Sequence, residues 1–202
     1  MHILAELKAR EKIPSLPVFL DSPMAINVSD IYCKYADQHR LSASQCQTMC
    51  DGTTYTQGVD ESKALAELNF PHIIIAGSGM ATGGRILHHM KRLLGNYRTT
   101  LLFTGYQAAG TRGEKMLKGG GSVRIHGQDI ACRARVEVLH GLSGHGDFMD
   151  IETWLNGSAL SKENAIQLVH GDPDALEGMK TYLSQNTKFD IEVARYRAVL
   201  TI

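Results

Sequence analysis

The chain has 202 residues, 43% of them hydrophobic, and its 21 basic and 21 acidic side chains cancel when histidine is neutral. That length can bury one large core or two small ones, and the charge balance excludes a globally basic nucleic-acid binder, leaving only a local patch for such a role. No run approaches the roughly 18 apolar residues of a membrane span, and the opening "MHILAELKAREK" is charged where a signal peptide would be apolar, so a cytoplasmic protein with no membrane partner is expected.

In chain order, "ILAELKAR" has helical spacing, "LPVFLD" is a short apolar strand closed by "DSP", and "INVSDIYCKYADQHR" has apolar residues at i, i+3 and i+4. "MHILAEL" has no capping residue ahead of it, a hint that Met1 is not the natural start. "DGTTYTQGV" reads as a loop and "DESKALAEL" as a helix with Asp60 as N-cap. Then come "HIIIAG" as a buried strand, "GRILHHMKRLLG" as a helix closed by Gly95, "TTLLFTG" as a strand, and "TRGEKMLKGGG" as a short helix ending in glycines. Alternation of strand and helix means a parallel sheet with crossovers.

From Ser122 the texture changes to "SVRIHG" and "IACRARVEVLH", a helix "DFMDIETWL", the strand "AIQLVHG", a helix begun by Asp172 as N-cap and Pro173 at its first position, and a terminal pair around "FDIEVARYRAVLTI". Cys33, Cys46, Cys50 and Cys132 form no CxxC pair and read as free thiols. Cys46 and Cys50 in "CQTMC" share a helical face as two metal ligands would, but a structural zinc site needs four, and small side chains near a core are the simpler account.

Two glycine-rich loops follow strands. "IIIAGSGMATGGRILHHMKR" sets Ser78, Gly79, Thr82, Gly83 and Arg85 at a helix start, where free N–H groups and the helix dipole favour a phosphate. As a dinucleotide fingerprint it departs at Thr82, and the next strand ends without the acidic residue that would hold a ribose. "LLFTGYQAAGTRGEK" repeats the arrangement with Gly110, Thr111 and Arg112, and Tyr106 can stack on a base. Two such loops with an arginine each suit a polynucleotide better than one cofactor; for either alone, tight turns are an equal explanation. "GLSGHGD" and "LVHGD" then place His145 and His170 each after a strand and each followed by Gly and Asp. A neutral imidazole there can ligate zinc and another can donate a proton, although a lone loop histidine is commonly just hydrogen-bonded.

"PVFLDSPMA", "GSGMATGGRILHHMKRLL", "LLFTGYQAAGTRG", "VRIHGQDIACRARVEVLHGLSGHGD" and "LVHGD", five blocks in order over nearly the whole chain, resemble the β-CASP group of metallo-β-lactamase-fold proteins, the zinc-dependent RNA-processing nucleases. The resemblance implies an α/β fold: a Rossmann-like β-CASP domain with a parallel sheet over 1–139, then over 140–202 the C-terminal part of an αββα metallo-β-lactamase domain. It implies that His145 is the motif B histidine beside the scissile phosphate, that His170 is the motif C zinc ligand, and that two zinc ions polarise the phosphate and supply the attacking hydroxide.

The family's HxHxDH ligand motif and its motif A acidic residue have no counterpart in the sequence, and adjacent His88 and His89 point about 100° apart on a helix and cannot replace them. The chain therefore resembles a C-terminal portion of such a nuclease, and on its own is expected neither to hold catalytic zinc tightly nor to cleave RNA. Its partners would be RNA, the N-terminal metallo-β-lactamase half, and, through an exposed apolar face including Trp154 and Leu155, a second copy. The other readings are an RNA-binding module that does not cut and a nucleotide-cofactor protein built on "GSGMAT".

Overall fold

The structure, a computed structural model, describes residues 1–142, 144–197 and 199. The chain divides into two compact units, residues 1–142 and 143–202. Unit 1 contains α1 (His2–Ala9), β1 (Val18–Asp21), α2 (Pro23–Lys34), a 3-10 turn (Ala36–Gln38), α3 (Ala43–Asp51), β2 (Thr54–Tyr55), α4 (Val59–Leu65), β3 (Ile73–Ala76), α5 (Ile86–Leu93), β4 (Thr100–Phe103), α6 (Arg112–Leu117), β5 (Ser122–Ile125), β6 (Gln128–Ala131) and β7 (Arg135–Val138). Unit 2 contains α7 (Phe148–Asn156), β8 (Ala165–Leu168), α8 (Pro173–Asn186) and β9 (Asp190–Val193).

In unit 1, β1 lies between β2 and β3 in a parallel three-stranded sheet, with Asp21 in register with Ala76. A second parallel ladder joins β4 to β7, and β5 and β6 form an antiparallel hairpin. The expected parallel pairing is thus present, distributed over separate ladders. The expected buried strand 73–76 is half-buried along its length, because β3 stands at the edge of its sheet. Leu87, Met90, Leu94, Phe103, Met116, Val123 and Ile125 make a continuous core under the second ladder and the hairpin. The hairpin closes through His126 and Gly127, both at positive φ (46° and 78°), the paired left-handed conformation that a two-residue turn requires.

The starts of α2 and α3 are built by local hydrogen bonds. The Ser22 hydroxyl accepts from the N–H of Ala25 with Pro23 in the first turn of α2, and Ser42 and Gln45 form a reciprocal capping box on α3. Asp60 does not cap α4: Gly58 holds the N-cap position, and the Glu61 carboxylate accepts from the N–H groups of Gln57 and Gly58. Residues 54 and 55, read in sequence as loop, pair with Phe19 and Leu20.

Unit 2 is a parallel pair, β8 with β9, packed by α8 and α7. Leu155, Leu183, Phe189 and Ile191 form its core. This corrects one expectation on α7: Leu155 is buried at 2% exposure, whereas its neighbour Trp154 is 70% exposed. Successive helical residues point about 100° apart, so the two cannot share a face. Among the described residues no helix is long and apolar enough to cross a membrane.

Candidate nucleic-acid interface and histidine loops

The loop after β3 and the loop after β4 leave the C-terminal ends of parallel strands, where open α/β sheets place ligands. They are sewn together. The buried Gln107 amide donates from Nε2 to the carbonyls of Gly79 (2.8 Å), Tyr106 (3.0 Å) and Gly105 (3.2 Å), the N–H of Gly113 donates to the Met80 carbonyl at 3.4 Å, and Arg112 donates from Nη1 to the carbonyls of Ala81 (3.3 Å) and Thr82 (3.2 Å). Arg112 also donates from Nε to the Arg124 carbonyl on β5 at 2.7 Å. Gly113 must be glycine for this: a Cβ there would lie 1.6 Å from Gln107 Oε1.

Inside the first loop, Ser78 sits at φ 75°, in the left-handed region, and its Oγ accepts from the N–H groups of Thr82 and Gly83, both at 3.1 Å. Gly79, Thr82 and Gly84 are exposed around it. The hydroxyl therefore occupies the acceptor position at two of the amides that the sequence reading assigned to a phosphate. In the second loop, Thr111 caps α6, its Oγ1 accepting from Glu114 N–H at 3.3 Å and donating to the Ala108 carbonyl at 2.6 Å. The N–H of Gly110 donates to the Glu114 carboxylate at 3.3 Å. The hydrogen bond from Lys118 holds the Glu114 carboxyl below the ordinary carboxylate range. Tyr106, in the second loop, is 64% exposed.

Arg85 turns inward. Its Nη1 donates to Asp21 Oδ1 at 2.6 Å and to the Thr56 carbonyl at 3.0 Å, and its Nη2 donates to the Gln57 carbonyl at 2.7 Å. The Arg85 and Arg112 guanidiniums therefore both brace backbone carbonyls; Arg85 is paired inward with buried Asp21, whereas Arg112 stays half-exposed. Asp21 is fully buried and also receives Ser62 Oγ and His89 Nε2, each at 2.6 Å from Oδ2. Burial pushes this carboxyl up, but the three hydrogen bonds outweigh it and hold it below the usual carboxylate value. His89 Nδ1 is buried with no hydrogen-bond partner among the described residues, so the ring serves Asp21 through Nε2. Of the adjacent histidines, His89 is thus a core residue, and His88 is exposed with its ring 4.7 Å from that of His126.

Asp21, in "FLDSPMA", is a functional residue that the motifs do not single out; its signal is a carboxylate ending an otherwise apolar strand immediately before a Ser-Pro helix start.

In unit 2 both His-Gly-Asp runs lead into a helix, but only Asp147 makes a side-chain cap. Asp147 caps α7, accepting from the N–H groups of Met149 (2.8 Å) and Asp150 (3.0 Å), and Asp172 holds the N-cap position of α8. Each histidine, His145 and His170, is exposed and stands two residues ahead of a helix cap, where helix amides create positive potential. His170 adopts φ 63°, an uncommon conformation for a residue with a side chain. Ser143, within "GLSGHGD", lies outside the described residues. Among the described residues no three His, Cys, Asp or Glu side chains converge as a metal group, so a two-zinc centre does not fit the described donors by themselves. Cys46 and Cys50 belong to no such group among the described residues, in keeping with their reading as small side chains near a core: Cys46 is buried, and Cys50 faces Cys33.

A parallel α/β unit with paired glycine loops, followed by a small unit of two histidine loops, defines a β-CASP-type protein. The Beta-Casp domain family matches residues 1–116, and the chain belongs to that family. The Zn-dependent metallo-hydrolase RNA specificity domain matches residues 129–194. Over 92% of its length the chain is 33% identical to ribonuclease TTHA0252 of Thermus thermophilus, covering 43% of that protein. Over 94% of its length it is 26% identical to the transcription termination factor FttA of Methanosarcina mazei, covering 31% of it, and over 57% it is 32% identical to FttA of Methanothermobacter thermautotrophicus, covering 19%. The chain spans less than half the length of these curated relatives.

Proposed function

We propose that the chain is the C-terminal portion of a zinc-dependent RNA-processing phosphodiesterase, with residues 1–139 as its β-CASP domain and 140–202 as the returning part of its metallo-β-lactamase domain. One observation carries this reading: the Beta-Casp and the metallo-hydrolase RNA specificity families match in that order along a single chain. In this reading the loop after β3 holds the RNA backbone through Ser78, Gly79, Thr82 and Gly83, while Tyr106 of the loop after β4 stacks on a base; the amides of Gly110 and Thr111 already donate to the Glu114 carboxylate and the Ala108 carbonyl. Arg85 anchors the end of the first loop to Asp21, and Arg112 ties the second loop to the first. His145 donates a proton to the leaving oxygen from its ring nitrogen, and His170 supplies one zinc ligand whose companions are not among the described residues.

The test is filter binding of a single-stranded RNA oligomer at falling salt. Affinity that rises as salt is lowered is expected, since phosphate contacts release counterions; absence of affinity even at low salt would overturn the reading. The same chain with added zinc should leave the oligomer intact. Zinc-dependent cleavage that is lost in His170→Ala would show instead that the chain completes a metal site by itself, as across a dimer. Trp154, exposed on α7, is the anchor for such self-association, and light scattering that returns a strict monomer would count against that part.

A further inference from the structure

Three of the four cysteines gather where α2 and α3 end. Cys33 lies in the last turn of α2 and Cys50 in the last turn of α3, and their sulfurs stand 2.8 Å apart. Cys46, one turn earlier on α3, is buried at 3% exposure, and its Sγ contacts His39 Nε2 at 3.9 Å. Cys33 and Cys50 are only half-buried, so a small reagent can reach them. Disulfide geometry needs sulfurs at about 2.05 Å and side chains that already face one another, which here asks for a closure of under about 1 Å by side-chain rotation. The same sulfurs are too close to straddle a metal ion, and no three-donor group forms around them among the described residues.

We propose that Cys33 and Cys50 are an oxidisable pair that closes into an intrachain disulfide between α2 and α3 when the chain meets a small-molecule disulfide such as oxidised glutathione. The reaction takes two exchanges. The Cys50 thiol loses its proton and attacks one glutathione sulfur, releasing one glutathione and leaving a mixed disulfide on Cys50. The Cys33 thiol then loses its proton and attacks the Cys50 sulfur, releasing the second glutathione. Two electrons pass from the two protein thiols to the one reagent disulfide, and the two protons end on the two released glutathione thiols.

The order of attack follows from the surroundings. Burial, together with the neighbouring Cys50 sulfur, pushes the Cys33 thiol up to about 12. Cys33 is therefore the poor first nucleophile, and the contribution from Cys50 disappears once that sulfur is in the mixed disulfide. The bond would link positions 17 apart in sequence and pin the 3-10 turn and the stacked Tyr32–His39 pair between the two helices. The inference is independent of any role in RNA chemistry.

The experiment is to incubate the reduced, otherwise native chain with oxidised glutathione at mildly alkaline pH, count thiols after denaturation, and map the linkage by peptide mass spectrometry without reduction. The four free thiols should fall to two, the intact mass should drop by about 2 Da with no glutathione retained, and the Cys33 and Cys50 peptides should be joined. The oxidised chain should melt about 5 °C or more above the reduced one. Cys33→Ser and Cys50→Ser should each abolish the intrachain bond, and Cys132→Ser should leave it. Because the linkage is read on the native chain, the result stands even if a variant fails to fold. Four remaining thiols, a stable glutathione adduct, a bond to Cys46, or bonds only between chains would each overturn the proposal.

Discussion

The loops after β3 and β4 share a recipe of glycines, a hydroxyl and an arginine, yet their amides meet opposite surroundings. The first opens into α5, whose first turn carries no acid, and its inner amides are held by the neutral Ser78 hydroxyl. The second opens into α6 with Glu114 in its first turn, and that carboxylate already accepts from Gly110 N–H. A helix start offered to a phosphate is favourable only while no fixed carboxylate fills it. The pair therefore divides labour: the first loop is the better anion cradle, and the second contributes Tyr106 and the braces Gln107 and Arg112.

The largest effect should come from removing the buried carboxylate that anchors Arg85 at the end of the first loop. Asp21→Ala leaves Arg85 and His89 facing a buried gap, and a loss of about 3–5 kcal/mol in urea unfolding is expected; a loss under about 1 kcal/mol would show that the network is dispensable. The same group sets an acid limit. Its carboxyl is held below the ordinary value, so its contribution is present above about pH 4 and is lost as pH falls through the lower folded value. Asp21→Asn should flatten that part of the stability profile, and unchanged acid sensitivity would assign it to other carboxylates.

Next in size, Gly113→Ala should cost about 1–3 kcal/mol by driving a methyl into the pinned Gln107 amide, and it should weaken RNA binding at both loops together. If only stability changes, the seam between the loops does not matter for binding. A smaller and opposite change is expected for Glu114→Gln: removing the carboxylate from the second loop should strengthen RNA affinity about twofold at low salt and hardly at all at high salt. Equal affinity at all salt concentrations would place the RNA away from that loop. Smallest of all, Ser78→Gly keeps the left-handed backbone while vacating two amides, and a change in affinity of under about twofold is expected, because one acceptor is exchanged for another.

Part of the locally encoded structure was legible. The Ser22 cap of α2 and the Ser42–Gln45 box of α3 emerge only in the structure, but Asp172 before Pro173 announces the start of α8, since an N-cap position is set by neighbours in sequence. Both glycine loops were legible too, as was the alternation that gives parallel ladders. The inward turn of Arg85 was not, because its partner Asp21 is 64 residues away and nothing in "GGRILHHM" says which arginine faces the core. The seam through Gln107, 28 residues from Gly79, is hidden for the same reason. That Leu155 is buried while Trp154 is exposed is a matter of helical phase, and a single large apolar pair does not fix phase. Residues 54 and 55 are strand only because β1 offers an edge to pair with.

The Ser78 hydroxyl, seated on the amides of Thr82 and Gly83, also bears on how long a ligand stays. An arriving phosphate would not fill bare amides; it would displace an acceptor already in place, so its gain is the difference between a charge-assisted and a neutral hydrogen bond. When it leaves, the hydroxyl returns at once and the loop pays no penalty of exposed donors. Such a seat favours brief residence and quick exchange along a strand over a single tight stop.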